Sequence, residues 1–215
     1  MDQLETIASQ IRESFDALTA ARDKALAQTR TLTRHCAHAI RAVHRQEHEN
    51  AAQEIRAAKE IADSLRVELQ DYPSLYWAGY TQDALKEYAE ANIVAALVDH
   101  GNLPTPKELG LEDATYLKGL AEAAGELRRR CLDILRSGRV EEAERQLQYM
   151  DEIYAVLVTM DYPDAVTYGL RRLTDITRGI LERTRGDLTM SLRQDRLEAS
   201  LRRFESEILD PGNKE

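Results

Sequence analysis

Residues 30–45 read RTLTRHCAHAIRAVHR, and the pattern of this stretch decides the fold. At 100° per residue on an α-helix, five basic side chains fall within a band about 80° wide, and apolar or small side chains hold the opposite face. The stretch therefore predicts an amphipathic helix with a basic surface about 22 Å long. The basic surface comprises Arg30, Arg34, His38, Arg41 and Arg45, and the apolar face comprises Leu32, Cys36, Ala39, Ile40 and Val43.

The positive charge of the basic surface is opposite in sign to the net charge of the whole chain. The 215 residues carry 38 Asp and Glu against 29 Lys and Arg, a formal net charge of −9, yet residues 30–45 contain no carboxylate. Guanidinium groups at helical spacing fit a row of phosphate oxygens better than they fit single carboxylates. The pattern favours a docking surface for a phosphate backbone, and the alternative is an ordinary solvated helix face.

Composition extends the helical prediction to the rest of the chain. Hydrophobic residues make up 43% and charged residues 31%, with few Gly and Pro. Such a composition, rich in Ala, Leu, Glu and Arg, is typical of all-α proteins. No β-alternating run, repeat or Gly/Ser-rich linker interrupts it. We predict a single all-α domain of about six to seven long helices over residues 1–209, followed by a disordered tail at 210–215.

Apolar periodicity and the Pro and Gly positions give the helix boundaries. Residues 4–48 are predicted to form one very long helix or two nearly continuous ones. The other predicted helices cover about 50–69, 74–99, 112–136, 140–160 and 161–207. Helices of about 45 residues at both ends are longer than a compact monomer of this size requires, so part of their apolar surface is expected to meet another subunit.

The cysteines and the N-terminal sequence indicate in which cellular compartment the protein is expected. Cys36 and Cys131 fall on apolar helical stripes, as small buried residues of a reducing compartment do, and their spacing does not match a zinc site. The N-terminus is amphipathic and acidic, without the pattern of a secretory signal, and no segment is apolar enough to span a membrane. We therefore expect a cytoplasmic protein.

Two pairs of carboxylates lie at helical spacing on separate predicted helices. Glu87 and Glu90 are three residues apart in an otherwise apolar run, and Glu122 and Glu126 are four apart beside the small residue Gly119. Helices packed at about 8 to 10 Å can bring such pairs together. Oxygen ligands without a thiol suit Mg²⁺ or Mn²⁺. The alternative is that these are solvated helix faces, because an acidic chain contains many such pairs by chance.

Other chemistries find little support in the sequence. No Glu-x-x-His motif occurs, which argues against a ferritin-like di-iron site. No phosphate-binding or dinucleotide-binding glycine loop is present. The aromatic residues Tyr72, Tyr76, Trp77 and Tyr80 could stack on nucleobases, but aromatics around an interhelical turn are more often packing residues.

Four stretches together resemble the translin family, and within it the branch of translin-associated factor X. Their order and spacing span most of the chain, and the Glu-Tyr-x-Glu-Ala and Gly-Glu-Leu-x-Arg elements are specific as a pair. We expect an archaeal or other prokaryotic member. The matching stretches are residues 39–45 (AIRAVHR), 85–91 (LKEYAEA), 116–129 (YLKGLAEAAGELRR) and 168–172 (YGLRR) followed by Asp175 and Arg178.

The resemblance implies an all-α protein whose subunits assemble into a hollow shell, usually of eight members, that binds RNA or single-stranded DNA on its inside. The factor X branch is a metal-dependent endoribonuclease, and translin itself lacks the acidic set. When the catalytic and metal-binding carboxylates of this branch are transferred to the matching positions of this sequence, they fall on Glu87, Glu90, Glu122 and Glu126. Glu122 departs from the pattern, because the branch often has Asp there.

The sequence thus predicts a Mg²⁺- or Mn²⁺-dependent endoribonuclease working on RNA inside a homo-oligomeric shell, an octamer by resemblance. The basic surface is predicted to grip the RNA backbone without reading its sequence. The first alternative is a non-catalytic shell protein that binds RNA or single-stranded DNA. A second is a helical scaffold that docks an acidic partner protein on the basic surface.

Overall fold

The computed structural model describes residues 2–209, and the predicted tail at 210–215 lies outside the described residues. Within this range the chain is helical, without a strand, which confirms the all-α prediction. Six helices are long and three have a single turn. In chain order they are α1 Asp2–His44, α2 His48–Glu68, α3 Pro73–Tyr76, α4 Gly79–Val98, α5 Pro106–Leu109, α6 Asp113–Leu135, α7 Val140–Val158, α8 Asp164–Thr167 and α9 Leu170–Leu209.

The predicted helix over residues 74–99 is wrong in one respect, because the structure divides it into α3 and α4. Ala78 has extended backbone angles at this break. The carbonyls at the end of α3 are satisfied by side chains: the Thr81 hydroxyl donates to the Leu75 carbonyl at 2.7 Å, and the Gln82 amide donates to the Tyr76 carbonyl at 2.9 Å. These bonds replace the backbone amides that a continuous helix would have used.

The predicted helix over residues 161–207 is also divided, at Tyr168 and Gly169. Both residues have positive φ, 48° and 88°. The Asp164 carboxylate accepts a hydrogen bond from the Gly169 amide at 2.7 Å and so stabilises the turn between α8 and α9. A left-handed backbone at two consecutive positions ends α8.

The chain forms two compact units. The first contains the residues up to Ala123 together with Tyr162–Leu170, and the second contains Ala124–Asp161 and the chain from Arg171 onward. The single domain over residues 1–209 stays a prediction. Among the described residues, no helix is long and apolar enough to cross a membrane.

The core of the first unit lies where α1 packs against α2 and α4. The apolar face predicted for residues 30–45 is buried throughout, with Leu32, Cys36 and Ala39 at 0% exposure. From α4, Tyr88, Ile93 and Val94 are likewise buried. The apolar periodicity of α1 therefore sets its orientation and turns the basic surface outward.

The second unit has its own core. Cys131, Ile134, Ala143 and Leu188 are buried together, and Leu147 is among the apolar side chains packed against them.

Candidate metal centre and basic surface

Helices α4 and α6 approach closely at Gly119. A Cβ atom at this position would lie 2.6 Å from the Ala89 Cβ and 2.8 Å from the Lys86 carbonyl oxygen, so only glycine fits. The space beside Gly119 is therefore filled by α4. The close approach brings the next turn of α6, which carries Glu122, beside the acidic residues of α4.

Three carboxylates form a cluster at this crossing. Glu87 and Glu90 of α4 and Glu122 of α6 each offer one ligand oxygen, and these oxygens all lie within 4.8 Å of one another. Glu90 is buried, and the other two are partly buried. We call these three residues the carboxylate cluster. Its donors are all oxygen atoms, which fits the hard cations Mg²⁺ and Mn²⁺.

Lys86 is the cationic neighbour of the carboxylate cluster. Its Nζ lies 2.8 Å from Glu122 Oε1 and 3.7 Å from Glu87 Oε1. Burial by itself would lower the pKa of Lys86, but the hydrogen bond to Glu122 and the charges of Glu122, Glu87 and Asp83 raise it overall. Lys86 therefore stays charged beside the cluster. One ammonium against three carboxylates leaves a surplus of negative charge for a divalent ion.

Holding several partly buried carboxylates close together disfavours their charged forms. Burial raises the pKa of Glu87, and the charge of Glu122 raises it further, while Lys86 opposes both effects. Burial together with the charges of Glu87 and Glu90 raises the pKa of the Cys36 thiol as well. Cys36 is therefore kept in its neutral form, which makes it a poor nucleophile.

The fourth predicted carboxylate, Glu126, lies on the part of α6 that belongs to the second unit. Arg129 Nη1 is 3.7 Å from Glu126 Oε2, one turn along the same helix. The structure thus brings three of the four predicted glutamates together, and the assignment of Glu126 to the same ion stays a prediction.

The basic surface is exposed at each of its five residues. Residues 30–45 contain no carboxylate themselves, but packing of α2 against α1 places Glu54 beside the basic surface. The Glu54 carboxylate lies 2.6 Å from His35 Nδ1 and 3.6 Å from His38 Nδ1. The helix α1 ends at His44, so Arg45, which was predicted to lie on the helix, is in the turn after it, where its guanidinium lies 3.9 Å from the Glu47 carboxylate.

Arg30, Arg34 and Arg41 form no ion pair with any described carboxylate. These three arginines are the part of the basic surface most available to an external anion.

A pocket of about 440 Å³ connects the two features, because both Arg30 of the basic surface and Glu87 of the cluster line it. Tyr80 also lines it, and its buried hydroxyl has no hydrogen-bond partner. Sequence reasoning assigned Tyr80 to interhelical packing with Tyr76 and Trp77. The rings of Tyr76 and Trp77 do pack edge to face, 5.3 Å apart, but Tyr80 faces the pocket.

Sequence reasoning also missed Lys86 and Glu54 as members of these surfaces. Lys86 directly precedes Glu87 in sequence, which is a weak local signal. Glu54 belongs to another helix, and its pairing with His35 depends entirely on how α1 and α2 pack.

Comparison with known proteins places this architecture among helical proteins of one family. No protein-family model matches the chain. An uncharacterized protein of Methanocaldococcus jannaschii, MJ0175, is 31% identical over 187 residues, which cover 86% of this chain and 82% of that protein. The structure of AfC3PO in complex with duplex RNA is 31% identical with a TM-score of 0.80, over 86% of this chain and 96% of that one.

Two further C3PO structures show the same fold. AfC3PO by itself is 30% identical with a TM-score of 0.79, over 86% of this chain and 97% of that one. Apo-NeC3PO is 21% identical with a TM-score of 0.79, over 85% of this chain and 96% of that one, a likeness of fold alone. The chain belongs to the translin family, of which the C3PO proteins are members. The resemblance seen in the sequence is therefore confirmed at the level of the family.

Proposed function

We propose that this chain is a Mg²⁺- or Mn²⁺-dependent endoribonuclease that hydrolyses RNA inside a homo-oligomeric helical shell. The observation that carries the proposal is the pocket lined by both Arg30 and Glu87. It sets a cation of the basic surface beside the carboxylate cluster, so one phosphate group could meet both. A phosphodiesterase needs this combination of an anchored phosphate and a site for a divalent ion.

The donor chemistry of the carboxylate cluster fits a hard divalent cation. Glu87, Glu90 and Glu122 would hold the ion, and we keep Glu126 as the fourth predicted ligand. When bound, the ion would activate water and neutralise charge on the phosphoryl oxygens. The close contact at Gly119 holds the carboxylates of α4 and α6 in place, and Lys86 orients Glu122 through their 2.8 Å hydrogen bond. No protein nucleophile is required.

The basic surface would bind the RNA backbone. Arg30, Arg34 and Arg41, which lack a carboxylate partner among the described residues, would contact phosphates directly, with His38 and Arg45 contributing less because Glu54 and Glu47 lie beside them. Contacts of this kind position a nucleic acid without reading its sequence. The complex of AfC3PO with duplex RNA supports RNA as the ligand class of the family.

A second candidate function is a shell that binds RNA or single-stranded DNA without cutting it. The position of Lys86 favours this candidate, because its ammonium already neutralises part of the carboxylate cluster. Such a cluster could be stable as a structural ion-pair network without any metal.

The finer assignments follow from the resemblance and are part of the proposal. We place the chain in the branch of translin-associated factor X because all four acidic positions carry glutamate, although Glu122 stands where that branch often has Asp. An octamer, a cytoplasmic location and an archaeal or other prokaryotic source belong to the same proposal.

The proposal is tested by incubating end-labelled RNA with the purified chain in the presence of Mn²⁺, Mg²⁺ or a chelator. We expect cleavage that requires the metal and is lost in Glu90→Gln. The matched control is Glu60→Gln, an exposed glutamate of α2 away from the cluster, which should cleave like the wild type. Equal cleavage by wild type and Glu90→Gln would show that the nuclease assignment is wrong. RNA binding without cleavage by either protein would support the second candidate.

A further inference from the structure

Lys86 contacts two of the three members of the carboxylate cluster, one on each helix. Its Nζ lies 2.8 Å from Glu122 Oε1 on α6 and 3.7 Å from Glu87 Oε1 on α4. The side chain of Lys86 is 13% exposed, less than the side chains of Glu87 and Glu122 at 32% and 30%. The ammonium is therefore an inner neighbour of the carboxylates that would hold a metal ion.

The backbone at Lys86 is fixed by the crossing of α4 and α6. A Cβ on Gly119 would lie 2.8 Å from the Lys86 carbonyl oxygen, so the two helices are in contact at this residue. The turn of α4 that carries Lys86 cannot move away without opening this contact. A lysine side chain usually keeps its charged end in water, but burial of Lys86 restricts that choice. An ion bound to the cluster must therefore share the carboxylates with the ammonium.

The ammonium affects a bound ion in two ways. It donates a hydrogen bond to Glu122 Oε1, which leaves Oε2 as the oxygen of Glu122 that is free for an ion. It also changes the summed charge of the ionised cluster from −3 to −2. Charges of the same sign a few ångströms apart in a partly buried site repel each other strongly. Lys86 thus reduces both the oxygens and the negative charge that attract a cation.

We propose that Lys86 sets the affinity and the charge selectivity of the carboxylate cluster for metal ions, because its ammonium competes with the ion for Glu122 and repels it. A summed charge of −2 balances a divalent ion, and it holds a trivalent ion less tightly than −3 would. The inference rests on the metal site of the proposed function and names the residue that controls it. It does not depend on RNA cleavage.

Metal titration of neutral variants tests the role of Lys86. The wild type, Lys86→Gln and Lys86→Met are titrated with Mn²⁺, and free Mn²⁺ is measured by electron paramagnetic resonance. We expect both neutral variants to bind Mn²⁺ about 10-fold or more tightly than the wild type, because a repelling unit charge beside the ion is removed. Lys86→Arg keeps the charge and should bind Mn²⁺ no more tightly than the wild type. Circular dichroism confirms that each variant is helical.

Two further variants separate the cluster from the rest of an acidic protein. Lys59→Gln removes a lysine whose Nζ lies 3.1 Å from Asp63 Oδ2 on α2, outside the cluster, and should leave the Mn²⁺ affinity unchanged. Glu90→Gln removes a carboxylate of the cluster itself. Mn²⁺ that still binds to Glu90→Gln is bound elsewhere on the surface and is subtracted from every titration.

The charge of the ion gives a sharper test, because Coulomb repulsion is proportional to it. Ca²⁺ and Tb³⁺ have similar radii but different charges. On going from wild type to Lys86→Gln, the gain in log affinity should be about 1.5 times as large for Tb³⁺ as for Ca²⁺. Tb³⁺ luminescence measures the first, and displacement of Tb³⁺ by Ca²⁺ measures the second. Equal gains would mean that the shorter side chain merely makes room, and would overturn the electrostatic proposal.

Urea unfolding distinguishes competition from an ion pair that only stabilises the fold. Without added metal, Lys86→Gln should unfold at a lower urea concentration than the wild type at neutral pH, because the carboxylates lose a buried counter-charge. The same concentration of Mn²⁺ should raise the midpoint of the variant more than that of the wild type, because tighter binding to the folded state stabilises it more.

The outcomes separate this inference from the proposed function. If the neutral variants bind Mn²⁺ like the wild type, Lys86 is a structural ion-pair partner, and the inference is wrong although the metal site stands. Weaker binding by the neutral variants would also overturn it, because Lys86 would then support the ion. If neither the wild type nor the neutral variants bind more Mn²⁺ than Glu90→Gln does, the metal site and the inference are both wrong.

Discussion

The carboxylate cluster and the basic surface lie in the same unit but are built by different means. The cluster is held between two helices that touch at Gly119, and its members are buried or half-buried. Four of the five residues of the basic surface lie on one face of α1, Arg45 lies in the turn just after that helix, and all five are exposed. Charges in the interior interact strongly and are costly to bring together, whereas exposed charges are screened and act collectively. The two features should therefore respond very differently to single substitutions.

The largest difference is expected for Glu87→Gln. Loss of an outer partner of a metal ligand typically costs about 10- to 100-fold, so loss of a ligand itself should lower Mn²⁺-dependent cleavage at least about 100-fold. Retained RNA affinity, measured by fluorescence anisotropy, would show that the effect is confined to the cluster. Affinity that fell together with cleavage would contradict the separation of the two features.

The same variant should also be more stable to urea than the wild type at neutral pH, and the raised pKa of Glu87 gives the reason. A carboxyl whose folded pKa is raised opposes folding once the pH exceeds its unfolded pKa, and this penalty disappears as the pH falls below that value. Because the pKa of Glu87 is raised, chiefly by burial, Glu87→Gln should unfold at a higher urea concentration than the wild type at neutral pH. The gain should vanish toward pH 4. A lower midpoint at neutral pH would be the contrary result.

The next largest effect is expected at the helix crossing that makes the cluster. Gly119→Ala places a Cβ 2.6 Å from the Ala89 Cβ and should force α4 and α6 apart, at a cost of about 1 to 3 kcal/mol of unfolding free energy. Gly125→Ala, on the same helix with no atom within 4 Å of the added Cβ, is the matched control and should be neutral or more stable by up to about 1 kcal/mol. Urea denaturation of the pair measures both, and equal effects would rule out the close approach.

A smaller effect is expected on the basic surface. Arg34→Ala removes one phosphate contact, so the slope of log affinity for RNA against log salt should fall by about 0.7 to 0.9. The rate of cleavage of saturating RNA should hardly change. Arg56→Ala, an exposed arginine of α2 outside the basic surface, serves as the control and should leave the slope as it is. Identical slopes for Arg34→Ala and wild type would exclude Arg34 from the RNA contact.

The smallest effect, and one of opposite sign, is expected for Glu54→Gln. The variant removes the carboxylate that lies 2.6 Å from His35 and 3.6 Å from His38, so the basic surface becomes more positive. Exposed or partly exposed ion pairs are worth about 0.2 to 1 kcal/mol, so RNA affinity should rise by about 1.5- to 5-fold at low salt. Titration at two salt concentrations checks this gain, which high salt should reduce. Weaker binding would mean that Glu54 has another role.

Much of the fold could be predicted because helical periodicity is a local property. The alternation of Arg34 and Cys36 about one helix axis gave the exposed and buried faces of α1 correctly. The breaks at Ala78 and Tyr168 could not be predicted in the same way. The first depends on Thr81 and Gln82 reaching back to the carbonyls of α3, and the second on Asp164 accepting a bond from Gly169.

The residues of the candidate site were likewise predictable only in part. Spacing and resemblance pointed to Glu87, Glu90, Glu122 and Glu126, and the structure brings the first three together. Lys86 and Glu54 were not foreseen, because an ion pair between two helices depends on which faces meet.

The sequence by itself determined most of the helix boundaries, the outward direction of the basic surface and the candidate acidic residues, because side-chain periodicity and residue type act within a few turns. Only the tertiary structure decided that Gly119 lets α6 touch α4, that Lys86 sits among the carboxylates, and that Arg30 shares a pocket with Glu87. These are contacts between residues far apart in the chain. Their energies exist only once packing has brought the helices together.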